Sequence, residues 1–126
     1  MDKKIRVLII DDEKQFAENL CRVLSFRDID ATAAFEGHNA LKIINSSENF
    51  DAVVLDIKMP GMNGIETLTQ IKKISPETEV IMLTGHANLE AANEGMALGA
   101  FDYIMKPCNI DELLYKIQDA CLIKRA

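Results

Sequence analysis

The sequence predicts a doubly wound α/β fold, with parallel strands in a central sheet and helices over both faces. Three observations carry this. Five apolar runs, at 5–10, 30–34, 52–55, 79–83 and 101–105, start roughly every 22 to 27 residues. Stretches with helical periodicity fill the intervals between them. The connections are short, and strands alternating with helices at this spacing form parallel sheets.

The first run, "IRVLII", is apolar nearly throughout, as befits a strand buried on both faces. Behind it, Phe16, Leu20, Val23 and Leu24 make one helical stripe. The second run, "DATAA", is shorter in side chain and more polar, which predicts an edge strand. Ala40, Leu41 and Ile44 form the next stripe. The third run, "AVVL", ends in a carboxylate, Asp56, and Pro60, Gly61 and Gly64 then predict a sharp turn. The third helix carries Ile65, Leu68 and Ile71, with Asn63 as N-cap and Glu66 at capping-box spacing. The fourth run, "EVIML", precedes the poorest helix, expected over 87–98. Gly95 in its interior costs about 1 kcal/mol relative to Ala, and Asn93 is a poor helix former. Its expected core-facing residues, Leu89, Ala92 and Met96, are thin. It is therefore expected to be the least stable helix and the main responsive element. The fifth run, "FDYIM", precedes the clearest helix. There Ile110, Leu113, Leu114, Ile117 and Cys121 share a stripe, opened by Asn109 with Glu112 behind it.

At 126 residues the chain is expected to be a single domain over 1–126, with no output domain. The formal net charge is −6, and no basic cluster interrupts it. Such a surface repels phosphate backbones, so direct nucleic-acid binding is not expected. The apolar start is too short for a signal peptide or membrane span, and no membrane association is expected. Cys21, Cys108 and Cys121 show neither metal spacing nor even pairing, which fits reduced thiols and a cytoplasmic location.

In a sheet of this kind ligands bind outside the carboxyl ends of the strands. Asp11-Asp12-Glu13 follow the first run, Asp56 the third, Thr84 the fourth and Lys106-Pro107 the fifth. Each has an ordinary structural reading: helix-capping acids, a strand reaching water, a turn hydroxyl, a solvated terminal charge. The coincidence of all of them on one edge favours chemistry. Asp11, Asp12 and Asp56 cannot sit close together without a pKa shift or a cation. Hard oxygen donors without His or Cys suit Mg²⁺. A divalent cation, a lysine and a hydroxyl around one carboxylate are what phosphoryl transfer to that carboxylate needs.

With these residues in view, the sequence resembles the receiver domains of two-component response regulators. The resemblance rests on "LIIDDE" (8–13), "VVLDIKMPGMNG" (53–64), "VIMLTGHA" (80–87) and "GAFDYIMKP" (99–107), and covers essentially the whole chain. The last two are closest in wording to nitrogen-regulator-type receivers. The resemblance implies a (βα)5 flavodoxin-like fold, with five parallel strands in the order 2-1-3-4-5. It implies that Asp56 accepts the phosphoryl group as a 4-aspartylphosphate. Asp12 and Asp56 would bind Mg²⁺ directly, with Asp11 acting chiefly through water and the Lys58 backbone carbonyl as a further ligand. Thr84 and Lys106 would hold the phosphoryl oxygens, and a cis peptide at Lys106-Pro107 would aim the lysine. Tyr103 would be the aromatic switch that moves when Thr84 shifts. Lys58 and His86 would tune how fast water removes the phosphoryl group. The implied partners are a sensor histidine kinase or histidine phosphotransfer protein, and an output domain or effector engaged through the face around 87–122. A homodimer formed on phosphorylation is a further expectation.

Competing classes fit less well. An aspartate-nucleophile phosphatase needs a second acid two residues beyond the first, where this chain has Lys58. A flavin binder of the same fold would bring a phosphate against Asp11-Asp12. A dinucleotide binder needs G-x-G-x-x-G, which is absent. A phosphatase would turn over many substrate molecules, whereas a receiver is modified about once per chain.

Overall fold

The computed structural model describes residues 4–46, 49–58 and 63–125, leaving aside the side chains at 86 and 123–125. Five strands, β1 (Ile5–Ile10), β2 (Ile29–Ala34), β3 (Ala52–Asp56), β4 (Glu79–Thr84) and β5 (Asp102–Met105), form one sheet. All their pairings are parallel and the order is β2-β1-β3-β4-β5. The helices are α1 (Lys14–Phe26), α2 (Gly37–Asn45), α3 (Gly64–Ile74), α4 (Leu89–Ala97) and α5 (Ile110–Arg125). A 3-10 turn at His86–Asn88 leads into α4.

Alternation along each strand sorts the core into two layers. Leu8, Ile10, Val53, Leu55, Val80 and Met82 meet α2, α3 and α4 on one face. Val7, Ile9, Val54, Ile81, Leu83 and Ile104 meet α1 and α5 on the other. The three central strands are buried on both sides, which is why they read as unbroken apolar runs. β2, polar in sequence, is an edge as expected. β5 is the other edge, and only Ile104 in it is fully buried. Phe101 lies just before β5, its N–H donating to the Val80 carbonyl at 2.8 Å.

The helix starts follow the sequence. Asn63 Oδ1 accepts from the Glu66 N–H at 2.9 Å, and Asn109 Oδ1 from the Glu112 N–H at 2.9 Å. α4 departs from expectation in the face it buries. Ala92 and Gly95 point inward, while Leu89 and Met96 are 39% and 38% exposed. The cause is close approach to β4: a Cβ on Gly95 would lie 2.3 Å from the Met82 Sδ. The glycine lets α4 sit down on Met82 by its small-residue stripe, which turns Leu89 and Met96 outward.

Register brings the strand ends to one edge. Ile10 pairs with Leu55, Asp56 with Leu83, and Thr84 with Met105. Asp11, Asp56, Thr84 and Lys106 therefore emerge at nearly the same level. The expected Pro60-Gly61 turn lies outside the described residues.

Candidate functional site

Asp56 is the last residue of β3 and only 6% exposed. The chain then doubles back so closely that a Cβ on Gly64 would lie 2.4 Å from the Ile57 Cα. Only a glycine fits there, and the Gly64 N–H donates to the Ile57 carbonyl at 2.9 Å. The start of α3 is thus pinned against the backbone that follows Asp56. The Lys58 N–H donates to Asp56 Oδ1 at 3.3 Å and further fixes the carboxylate.

Asp11 follows β1 and is fully buried. Its N–H donates to the Ala34 carbonyl at 3.1 Å, and its Oδ1 accepts from the Glu13 N–H at 3.0 Å. Asp12, beside it, is exposed. One carboxylate oxygen from each of Asp11, Asp12 and Asp56 lies within 4.8 Å of the others.

Lys106 reaches this group from the segment after β5. Its peptide bond to Pro107 is cis, as expected, and its N–H donates to the Thr84 carbonyl at 2.8 Å. Its Nζ lies 3.0 Å from Asp11 Oδ2, 3.4 Å from Glu13 Oε1 and 3.8 Å from Asp56 Oδ2. Burial works against the Lys106 ammonium, but the carboxylates of Asp11, Asp56 and Glu13 outweigh it. Its pKa stands above the ordinary lysine value.

Asp56 shows the opposite balance. Burial first, then the Asp11 carboxylate, push its carboxyl up to about 7. Lys106 and the Lys58 N–H pull the other way, and Asp12 adds a further upward push. One ammonium does not neutralise four neighbouring carboxylates, so the cluster has room for further positive charge. The donors are hard oxygens, which fits Mg²⁺.

The groups line an open cavity of about 690 Å³ whose walls include Asp12, Glu13, Asp56, Lys58, Gly85, Asn88 and Lys106. The buried Thr84 stands beside it in sequence and register, but its hydroxyl donates to the Gly85 carbonyl at 3.1 Å. Tyr103 is half-buried against the α2–α4 side of the core. The side chain of His86 lies outside the described residues. Three features around the site were not read from the sequence as parts of it: the Glu13 contact to Lys106, the Asn88 wall of the cavity, and the Phe16 ring 4.6 Å from Lys106 Nζ. Phe16 and Glu13 follow the Asp pair so closely that a first-turn helical projection brings both to the strand-end edge.

Comparison with known proteins agrees with this arrangement. The family model of the response regulator receiver domain matches residues 7–118. The chain is similar to regulatory protein AtoC of Escherichia coli, 36% identical over 115 residues, covering 91% of this chain and 25% of that protein. It is 34% identical over 114 residues to response regulator MprA of Mycolicibacterium vanbaalenii, covering 90% and 49%. The chain thus spans half or less of the length of these relatives. Among solved structures, a receiver domain protein of Clostridium thermocellum superposes with a TM-score of 0.92 at 34% identity, covering 96% and 97% of the two chains. The receiver domain of NtrX from Brucella abortus gives 0.85 at 34%, covering 91% and 97%. Sequence and fold agree over nearly the whole length, and the chain belongs to the response regulator receiver domains of two-component systems.

Proposed function

We propose that Asp56 accepts a phosphoryl group from a phosphohistidine in a Mg²⁺-dependent reaction, and that the chain then changes conformation to signal onward. The observation that supports this best is the placement of Asp56. It ends a buried strand, within 3.8 Å of an ammonium and beside two further carboxylates, at the wall of an open cavity. An Asp56 carboxylate oxygen attacks phosphorus and forms the new P–O bond. The P–N bond breaks, and its electron pair returns to the departing imidazole. Lys106 and Thr84 hold the phosphoryl oxygens, for which the Thr84 hydroxyl leaves the Gly85 carbonyl. Asp12 and Asp56 would hold the metal directly, with Asp11 acting through water and the Lys58 carbonyl as a further ligand. When bound, Mg²⁺ supplies positive charge against the phosphoryl oxygens and the clustered acids.

The movement of Thr84 draws Tyr103 inward, and the surface of α4, β5 and α5 changes with it. That surface serves an output domain, an effector or a second copy of the chain. Lys58 and His86 tune how fast water removes the phosphoryl group. The phosphodonor is a sensor histidine kinase or a histidine phosphotransfer protein, and the setting is the cytoplasm. No helix among the described residues is long and apolar enough to cross a membrane.

The test is incubation with acetyl phosphate and Mg²⁺, followed by intact-mass measurement and reductive trapping of the adduct. One phosphoryl group per chain on Asp56 is expected, lost with chelator and in Asp56→Asn. An undiminished adduct on Asp56→Asn, or sustained turnover of phosphodonor without an adduct, would contradict the proposal.

A further inference from the structure

We propose that Phe16 is a positioning residue for phosphoryl transfer, its ring face forming the seat that keeps the Lys106 ammonium aimed at Asp56. The inference rests on the receiver reading above. Lys106 Nζ lies 4.6 Å from the centroid of the Phe16 ring. Its other neighbours are Asp11 at 3.0 Å, Glu13 at 3.4 Å and Asp56 at 3.8 Å. Among the described residues, the ammonium is thus held by three carboxylates and one aromatic face.

These neighbours act differently. Asp11 and Glu13 are closer to Nζ than Asp56 is, and each accepts a hydrogen bond from it. They hold the lysine back from the phosphoryl position as well as near it. The ring attracts the cation through its quadrupole and occupies no strong acceptor direction. It fixes the head group on one side and leaves the N–H donors able to turn toward phosphoryl oxygens. Without the ring, water reaches the ammonium from that side. The lysine then settles on Glu13, whose side chain is 66% exposed and leads away from the buried acids.

The local structure explains why a seat is needed. Phe16 stands in the first turn of α1, where unpaired backbone N–H groups carry positive partial charge. That helix end repels a cation. Glu13, the N-cap residue, makes no capping hydrogen bond with its side chain and gives its carboxylate to Lys106 instead. Phe16 itself packs against the α1–α5 core while half-buried, so its ring is held from behind.

Phe16→Leu keeps apolar bulk and removes the π face; Phe16→Tyr keeps both. Two quantities are measured: the initial rate of Asp56 phosphorylation by acetyl phosphate at fixed Mg²⁺, and the proton shifts of the Lys106 ε-methylene. Ring current is expected to move those protons upfield in the unsubstituted protein. Phe16→Leu is expected to slow phosphorylation by about five- to tenfold and to return the shift to that of an ordinary lysine. Phe16→Tyr is expected to stay within about twofold and keep the upfield shift, as a cation–π seat requires. Melting temperatures of both variants are measured alongside; should Phe16→Leu not fold, Phe16→Met takes its place. Equal rates in the unsubstituted and Leu proteins, or a Tyr variant as slow as the Leu one, would overturn the inference. If the unsubstituted protein takes up no phosphoryl group on Asp56, the receiver reading fails and this inference falls with it. Phosphorylation unaffected by Phe16→Leu removes the role of Phe16 alone.

Discussion

Asp56 carries an unusual charge balance for a residue at the end of a core strand. Its carboxyl is raised to about 7 by burial and by Asp11, against about 4 for an ordinary aspartate. The folded state therefore binds the proton more tightly than the unfolded state. The stabilisation this gives is fully present below the unfolded pKa and is lost as pH rises through the folded one. Metal-free protein is thus expected to lose stability between about pH 4 and pH 7 through this group. Asp56→Asn removes one charge from the cluster and should flatten that slope. Its melting temperature in chelator at neutral pH should exceed that of the unsubstituted protein by roughly 3–8 °C. Superimposable melting curves across that pH range would show that the cluster is relaxed by some other route. Two of the cysteine thiols are also raised. Burial pushes the Cys21 thiol up to about 11, with Glu18 adding to it, and raises Cys108 as well.

Two glycines that look alike in sequence differ once the elements are packed. Gly64 opens α3 against the backbone of Ile57, and backbone cannot yield to an added methyl group. Gly85 follows β4 with nothing within 4 Å of its would-be Cβ. Gly64→Ala is expected to cost about 2 kcal/mol or more, and Gly85→Ala less than about 0.5 kcal/mol on steric grounds. Chemical denaturation of both variants checks this, and equal losses would count against the close approach at α3. The helices also differ in how they are held. α4 buries only Ala92 and Gly95, whereas α5 buries Leu113, Leu114, Ile117, Ala120 and Cys121. A fully buried leucine or isoleucine contributes roughly 1.5–3 kcal/mol, so α4 is the cheaper helix to displace. Hydrogen exchange should therefore be faster over residues 89–97 than over 110–122, and should change there on addition of beryllofluoride with Mg²⁺. Equal protection with no change on addition would rule out α4 as the responsive element.

Across the whole molecule, α4 and α5 pack on opposite faces of the sheet, α4 against β4 and α5 against β4 and the edge strand β5. An ion pair from Lys116 to Asp102 ties α5 to that strand. The acid cluster lies at the other end of the same short path, through Thr84 and Lys106, whose backbones are joined by one hydrogen bond. A ligand that binds the folded site adds to the stability of the entire cooperative unit, by about 2.7 kcal/mol at a hundredfold excess over its Kd. Beryllofluoride with Mg²⁺ is accordingly expected to raise the melting temperature of the unsubstituted protein by several degrees, and to leave Asp56→Ala unmoved. A comparable rise in Asp56→Ala would place the ligand elsewhere.

The alternation of strands and helices, the polar edge strand, two capped helix starts and the strand-end residues Asp11, Asp12, Asp56, Thr84 and Lys106 are all legible along the chain. These are local properties: side-chain period, cap chemistry and the place where an apolar run stops. What depends on approach between distant segments is visible only in the fold. Gly95 reads in sequence as a flaw in a helix, and becomes in the fold the clearance for Met82, turning Leu89 and Met96 to solvent. Phe16 reads as one more member of a core stripe, and its second face is visible only once the segment after β5 crosses to α1. The raised carboxyl of Asp56 likewise belongs to no single stretch. It arises because parallel register sets three strand ends level, bringing charges 45 residues apart in the chain into one low-dielectric edge.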